Sequence, residues 1–156
     1  MKFSIQITTK NRLAYLKETL DKIKCLLDKK DVECVICDDG SLDGTSEYIK
    51  DNFPEILLHR NEKSKGYLNC RNKMLNETKA LYSVSLDDDA SFLSDEPLSE
   101  IEQHFNIKNF LPKTVPQFSF IDFASLFFFL GTEIKFYTIR IGKKVGSSFE
   151  KRWISI

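Results

Sequence analysis

Three consecutive aspartates, Asp87, Asp88 and Asp89, have the clearest capacity for chemistry in this sequence. Adjacent carboxylates repel one another, so folding them together costs free energy unless a cation or hydrogen bonds compensate. Hard oxygen ligands favour Mg²⁺ or Mn²⁺, and Mg²⁺ is commonly held by one or two carboxylates plus substrate phosphates. A solvated acidic loop is the alternative. The triplet directly follows an apolar, strand-like run, and this position favours the cation site.

A second acidic segment runs from Asp38 to Thr45, with the sequence Asp-Asp-Gly-Ser-Leu-Asp-Gly-Thr. Its glycines, Gly40 and Gly44, permit backbone angles that other residues rarely adopt. A carboxylate here can accept a hydrogen bond from a nucleobase N–H or a ribose hydroxyl. An Asx turn with a helix cap is the alternative, and it explains Asp43 in part.

A third segment begins at Gly66 and includes Arg71. Gly66 is placed to begin a helix, and helix N-termini favour anions. Arg71 would stand one turn into this helix, where it could meet a phosphate or a carboxylate. Taken alone this is a weak signal, because an arginine on a helix is usually solvated.

Elements that alternate between strand and helix connect these segments. Apolar periodicity predicts strands over residues 3–9, 32–37, 55–59 and 80–86, and helices over 13–27, 43–52 and 66–78. Asn11 is the predicted N-cap of the first helix, and Asp43 that of the second. This alternation predicts an α/β fold with a mostly parallel sheet and helices on both faces.

The acidic segments fall at the carboxyl ends of the predicted strands, where such sheets bind ligands. Thr8, Thr9 and Asn11 follow the first strand, the Asp38–Asp39 pair follows the second, and the Asp triplet follows the fourth. If the first strand lies between the second and fourth, all three groups border one crevice. Alternation along the chain predicts that Asp87 and Asp89 point one way and Asp88 the other.

The order of these motifs resembles the nucleotide-binding half of the inverting glycosyltransferases of family 2, over about residues 1–95. The motifs are Ile7-Thr8-Thr9-Lys10-Asn11-Arg12, Asp-Asp-Gly-Ser-x-Asp-Gly-Thr from position 38, Gly66-x4-Arg71-Asn72, and Leu86-Asp87-Asp88-Asp89-Ala90. The second motif is the most specific.

The resemblance implies a Rossmann-like GT-A fold and transfer of a sugar from a nucleotide diphosphate, most often a UDP-sugar, to an acceptor hydroxyl in bacterial-type polysaccharide or glycoconjugate synthesis. Its implied substrate-binding residues are Thr8, Thr9, Asn11, Asp38, Asp39, Gly66, Arg71, Asp87 and Asp88. Thr8 and its neighbours, with Asp39, would hold the base, and Arg71 would lie near the base or diphosphate. Asp89, with Asp87, would ligate Mg²⁺ or Mn²⁺.

The chain divides by composition near residue 100. Residues 1–100 form the predicted nucleotide-sugar-binding unit. Residues 101–156 form a short divergent segment that we expect to pack on the same domain, and ten of the thirteen phenylalanines lie between positions 105 and 149. A strand is predicted over residues 133–141 and a basic turn over 142–148. The family's acceptor region is longer, so two interpretations stay open: a shortened acceptor region, or a truncated, inactive remnant that binds nucleotide and metal.

The general base is not identified by any motif. Asp122, Glu133 and Glu150 are candidates, and each is more often an ordinary surface or structural residue. The acceptor would be a saccharide or a lipid-linked molecule, with peripheral membrane contact and oligomer formation both open. The apolar run over residues 120–130 is shorter than the roughly 20 residues that cross a bilayer.

Composition excludes several other classes. The 23 basic and 23 acidic residues give zero formal charge, so nucleic acid is not an expected partner.

Cys34 and Cys37 form a C-x-x-C, but on a strand they face opposite sides of the sheet, which predicts buried core thiols rather than a metal or redox site. Free thiols and an N-terminus without signal-peptide character predict a cytoplasmic protein. A signalling receiver domain also contains clustered aspartates. Its acidic pair usually follows the first strand, whereas the pair in this sequence follows the second.

Overall fold

The computed structural model describes residues 1–106, 138–145 and 148–155, with side chains over residues 1–103. Six strands and four helices lie in these ranges. They are, in chain order, β1 (Phe3–Thr9), α1 (Leu13–Leu27), β2 (Val32–Asp38), α2 (Thr45–Asn52), β3 (Leu57–Arg60), α3 (Tyr67–Glu77), β4 (Tyr82–Asp87), α4 (Pro97–Asn106), β5 (Thr138–Val145) and β6 (Ser148–Ser155).

The strands form one sheet in the order β3-β2-β1-β4-β5-β6. The first four are mutually parallel, and β5 and β6 continue the sheet in antiparallel pairing. Strand β1 therefore lies between β2 and β4, which is the arrangement that the predicted crevice requires. The predicted α/β class with a mostly parallel sheet is confirmed.

The two faces of the sheet are packed differently. One face carries the larger core, in which Ile5 and Ile36 of the strands pack with Leu20 of α1, and α2 and α4 contribute to the same cluster. On the other face Cys37 packs with Cys70 and Met74 of α3. Cys34 lies in the first cluster and Cys37 in the second, and both are buried free thiols. The prediction of core thiols on opposite faces is confirmed.

Sequence periodicity located the first seven elements to within about two residues. It missed α4 and β6. The predicted basic turn over residues 142–148 was wrong, because residues 142–145 continue β5. Gly142 and Lys143 have low strand propensity, but they pair with Ser83 and Tyr82 of β4, and cross-strand pairing overrides local preference.

No helix within the described ranges is both long and apolar enough to cross a membrane. The phenylalanine-rich run over residues 120–130, with Asp122 and Glu133, falls outside the described residues.

Candidate functional site

The carboxyl ends of β1, β2 and β4 bring the predicted groups to one edge of the sheet. In the parallel register Thr9 is the partner of Asp38, and Thr8 is the partner of Asp87. The Asp39 backbone N–H donates to the Thr9 carbonyl at 2.9 Å, which continues the β1–β2 ladder beyond β2. Strand order and register therefore place the two acidic segments on either side of β1.

Asp39 lies beneath the loop formed by residues 61–66, which we call the covering loop. Its Oδ1 accepts hydrogen bonds from Asn61 Nδ2 at 2.8 Å and the Lys65 backbone N–H at 2.8 Å. Its Oδ2 accepts from Ser64 Oγ at 2.6 Å and the Gly66 backbone N–H at 2.9 Å. With four donors on two oxygens, the carboxylate has its full number of partners.

These bonds set the acidity of Asp39. Burial alone would raise the pKa of the carboxyl group, because Asp39 is only 3% exposed. The donors from Lys65, Ser64, Asn61 and Gly66 outweigh burial and hold its pKa well below the usual range. Asp39 is therefore a fixed negative charge at the N-terminus of α3, where the helix favours an anion. Gly66 was predicted to bind a substrate anion. In the structure its backbone N–H donates to the Asp39 carboxylate instead.

Asp38 stabilises the turn that follows β2 through hydrogen bonds made in the interior of the protein. It is fully buried, and it accepts hydrogen bonds from the Ser41 backbone N–H at 2.8 Å and from the Ser46 hydroxyl. Ser41 belongs to the same segment, and Ser46 lies in the first turn of α2. The structure therefore places Asp38 inside the turn, away from the surface at which a ligand would arrive.

Asp43 joins the N-termini of two helices. Its Oδ1 accepts hydrogen bonds from the backbone N–H and the hydroxyl of Thr45 at the start of α2, and its Oδ2 accepts from the Leu13 backbone N–H of α1 at 2.9 Å. The residue before α2 is Gly44, so the predicted N-cap position of Asp43 was wrong by one residue. The contact of Asp43 with α1 was not predicted.

Asn11 does not cap α1, so that prediction was wrong. The residue before α1 is Arg12, which makes no side-chain capping bond. Asn11 has a φ of +51° and forms two hydrogen bonds with the Asp38–Thr45 segment instead. Its Oδ1 accepts from the Leu42 backbone N–H at 2.7 Å, and its backbone N–H donates to Ser41 Oγ at 2.9 Å. The capping oxygen comes from Asp43, 30 positions along the chain.

The Asp87–Asp89 triplet is organised by arginines. Arg71 of α3 donates to Asp87 Oδ1. Arg12 reaches both other carboxylates, with Nε 3.1 Å from Asp88 Oδ1 and Nη2 2.6 Å from Asp89 Oδ2. The side chains of Asp87 and Asp89 are 56% and 49% exposed, whereas that of Asp88 is 9% exposed. Burial therefore alternates along the triplet, although Arg12 contacts Asp88 and Asp89 together.

Asp88 has the opposite acidity to Asp39. Burial raises its pKa above the usual range, and the neighbouring Thr9 hydroxyl and the Arg12 charge only partly oppose this effect. The backbone carbonyl of Asp88 is fixed by the Thr19 hydroxyl of α1 at 2.9 Å. Asp88 is thus turned toward the core, and its two neighbours are presented to solvent.

The triplet suits a cation that shares its coordination with a ligand. Within residues 1–103, no group of three or more His, Cys, Asp or Glu side chains is arranged to hold a metal ion. Asp87 and Asp89 provide two solvent-facing carboxylates, which is the number that Mg²⁺ commonly takes from a protein when phosphates complete its shell. The donor chemistry therefore fits a divalent cation that binds together with a diphosphate.

Several contributors to the site were missed in the sequence. Arg12 stands inside the quoted Thr-Thr-Lys-Asn-Arg motif, so its position was a usable signal. Asn61 and Ser64 lie in a polar loop without a motif, and nothing in the sequence pairs them with Asp39. The hydroxyl oxygen of Thr8 is buried and has no hydrogen-bond partner among the described residues.

Comparison with known protein families gives one match. The sequence model described as Glycosyl transferase family 2 matches residues 4–110, which include both acidic segments, Arg12 and α3. A comparison with curated proteins found no match.

Solved structures share the fold. Staphylococcus aureus TarS (residues 1–349) in complex with UDP is 24% identical, with a TM-score of 0.60 over 68% of this chain and 32% of that one. The same protein in complex with UDP-GlcNAc is 23% identical, with a TM-score of 0.55 over 68% and 31%. The mannosyltransferase PcManGT from Pyrobaculum calidifontis, in complex with GDP-Man and Mn²⁺, is 23% identical, with a TM-score of 0.54 over 63% and 30%. The chain therefore spans about a third of these structures. Their likeness confirms the predicted GT-A-type fold.

Proposed function

This chain belongs to glycosyl transferase family 2, and we propose that it transfers a sugar from a nucleotide diphosphate to an acceptor hydroxyl with the help of Mg²⁺ or Mn²⁺. The observation that carries this proposal is the single sheet edge at which the solvent-facing carboxylates of Asp87 and Asp89 stand between Arg12 and Arg71. Such a set of fixed charges suits a diphosphate and its cation.

We divide the donor between the two acidic segments. The nucleoside would lie along Thr8, Thr9, Asn11 and the covering loop, with Asp39 holding that loop in shape and Asp38 supporting the turn beneath it. A base N–H could reach Asp39 only by replacing one of its four present donors. The solved relatives carry UDP, UDP-GlcNAc or GDP-Man, which supports a nucleotide sugar as the ligand class and leaves uridine and guanosine to be compared. We expect uridine.

We assign the diphosphate to the second segment. Asp89 and Asp87 would hold the cation, and Arg71, at the start of α3, would face the base or the diphosphate. When bound, the cation would neutralise the negative charge that develops on the leaving diphosphate. Asp88, buried against Thr9 and Arg12, would fix the position of its two neighbours.

The acceptor half of the reaction has no assigned residue. Asp122 and Glu133 lie outside the described residues, and only the backbone of Glu150 in β6 is described. We propose a saccharide or a lipid-linked acceptor, with the protein acting in the cytoplasm or at the membrane surface.

Calorimetric titration of UDP and GDP, each with Mn²⁺ or with EDTA, tests the donor site. We expect Mn²⁺-dependent binding that Asp89→Asn weakens by about tenfold to a hundredfold, the loss of one strong charge-assisted contact. Asp95→Asn is the matched control, because it removes an equal charge from an exposed position six residues away. Equal binding of UDP in Mn²⁺ and EDTA would refute the metal role.

A second measurement separates the active enzyme from an inactive nucleotide-binding protein. UDP released from UDP-sugars by the purified chain, with and without saccharide acceptors, reports turnover. Release that needs Mn²⁺ and is lost in Asp89→Asn supports the transferase. Tight binding without any release supports the inactive binding protein instead.

A further inference from the structure

Arg12 pairs with two of the three aspartates in the triplet, and one of these two is a proposed cation ligand. Its guanidinium group contacts Asp88 through Nε and Asp89 through Nη2, at 3.1 and 2.6 Å. The same group lies 4.5 Å from the centre of the Tyr15 ring on α1. One side chain thus neutralises two neighbouring carboxylates while it rests on an aromatic face, a position that favours arginine over lysine.

An ordinary surface ion pair does not account for this arrangement. Asp88 is buried, so its ionised form needs a partner that stays in place, and Arg12 provides that partner from the segment after β1. Asp89 is half-exposed and can be hydrated without Arg12. The contact to Asp88 is therefore structural, and the contact to Asp89 is the one that can be given up.

We propose that Arg12 is a built-in counter-ion that competes with the divalent cation for Asp89. This inference rests on the function proposed above. A guanidinium group and a divalent cation repel one another when they share a carboxylate, so a cation at Asp89 would weaken or displace the Nη2 contact. Arg12 would then keep Asp88 and Tyr15. Its role is that of a positioning residue, which keeps the affinity for free metal low until a nucleotide diphosphate adds negative charge.

Titration of free Mn²⁺ by electron paramagnetic resonance, without nucleotide, tests the competition. Arg12→Gln should bind Mn²⁺ roughly fivefold more tightly than the wild type, the equivalent of one half-exposed ion pair. Arg12→Lys keeps the positive charge but loses the planar guanidinium group. Its affinity for Mn²⁺ should therefore lie between those of the wild type and Arg12→Gln. Arg60→Gln is the matched control: Arg60 has the same exposure as Arg12 to within a few per cent, pairs with Glu47 at 3.0 Å, and contacts no residue of the triplet.

Thermal unfolding gives an independent measurement. In EDTA, Arg12→Gln should unfold at a lower temperature than the wild type, because Asp88 and Asp89 lose their counter-ion. Mn²⁺ should raise the unfolding temperature of Arg12→Gln more than that of the wild type. If Arg12→Gln fails to fold, the Mn²⁺ affinity of Arg12→Lys, compared with that of the wild type, tests the competition instead.

Repeating the Mn²⁺ titration with saturating UDP separates the two levels of the proposal. If neither the wild type nor the variants bind Mn²⁺ in the presence of UDP, the proposed function fails, and the role of Arg12 fails with it. If the wild type binds Mn²⁺ with UDP, but Arg12→Gln and Arg12→Lys bind free Mn²⁺ no more tightly than the wild type, only the competition is overturned.

Discussion

The two acidic segments on either side of β1 contain the same residue type and are held in opposite ways. After β2, Asp38 and Asp39 are buried and accept hydrogen bonds from hydroxyl, amide and backbone N–H groups. After β4, Asp87 and Asp89 are half-exposed and are paired with the charged ends of two arginines. The first segment is held by neutral donors, and the second by the charged side chains of two arginines.

This difference separates the parts of the site that are built into the fold from the parts that can be exchanged. A backbone N–H cannot leave Asp39 unless the covering loop or the start of α3 moves. An arginine side chain can leave Asp89 or Asp87 by rotating about its own bonds. We therefore expect substitutions after β2 to act mainly on stability and substitutions after β4 to act mainly on ligand affinity.

The largest effect on stability is expected for Asp39→Asn. An amide has one acceptor oxygen, and its NH₂ group would face two of the four donors that now converge on the carboxylate. Leaving buried donors unpaired and removing a charged acceptor should lower the free energy of unfolding by about 3 kcal/mol. Urea unfolding followed by circular dichroism measures this change.

Asp51→Asn is the control for that substitution, because it removes an equal charge from an exposed position on α2. Its free energy of unfolding should stay within about 0.5 kcal/mol of the wild type. A similar small change in Asp39→Asn would mean that the covering loop is not held by this carboxylate.

Acid should remove part of the same stabilisation. The pKa of Asp39 is lowered in the folded state, so the ionised group stabilises the fold fully above its unfolded pKa of about 3.9. That contribution is lost as the pH falls through the folded pKa. The difference in unfolding free energy between the wild type and Asp39→Asn should be constant from about pH 7 to 5 and should shrink below about pH 4. A difference that disappears already near pH 6 would show that the pKa is raised instead.

A pair of glycines gives a smaller and better-matched test of the rigid segment. Gly40 and Gly44 share a φ of +83°, so alanine strains the backbone at both positions. A Cβ at Gly40 would lie 3.3 Å from the Ser64 backbone nitrogen of the covering loop, whereas a Cβ at Gly44 would have no neighbour within 4 Å. Gly44→Ala should cost about 1 kcal/mol and Gly40→Ala about 2 kcal/mol in urea unfolding. Equal costs would mean that the covering loop yields without resistance.

The sequence predicted the fold well because its signals were local. The apolar spacing in α1 gave both ends of that helix, and the continuous apolar run of β2 marked a strand buried on both faces. The elements that failed depend on distant partners. Gly142 and Lys143 become strand only through β4, and no short-range pattern could show that pairing.

The site was predicted at the level of location and less well at the level of contacts. Strand ends gave the edge at which the aspartates gather. The partners of those aspartates come from other elements: Asn61 and Ser64 from the covering loop, and Arg12 from the segment after β1. The contact of Asp43 with α1 spans 30 positions, so a local cap rule assigned the cap to Asn11 instead.

Among the substitutions in the site itself, the smallest effect on stability is expected for Arg71→Gln, in the segment after β4. Arg71 pairs with Asp87, whose side chain is 56% exposed, so water can solvate that carboxylate when the guanidinium group is lost. Exposed ion pairs contribute at most about 1 kcal/mol, and we expect a change in unfolding free energy below that value. Under the proposed function, Mn²⁺-dependent UDP binding should nevertheless weaken by about tenfold, because Arg71 faces the diphosphate or base.

Only this combination of a small loss in urea unfolding and a large loss in UDP titration supports the division between the two segments. Arg60→Gln provides the reference, since Arg60 also pairs with an exposed carboxylate, Glu47, and this pair lies outside the triplet. If Arg71→Gln lowered stability as much as Asp39→Asn, the arginine would be part of the fold's support. The segment after β4 would then be as fixed as the segment after β2, and Asp87 would not be available for exchange with a ligand.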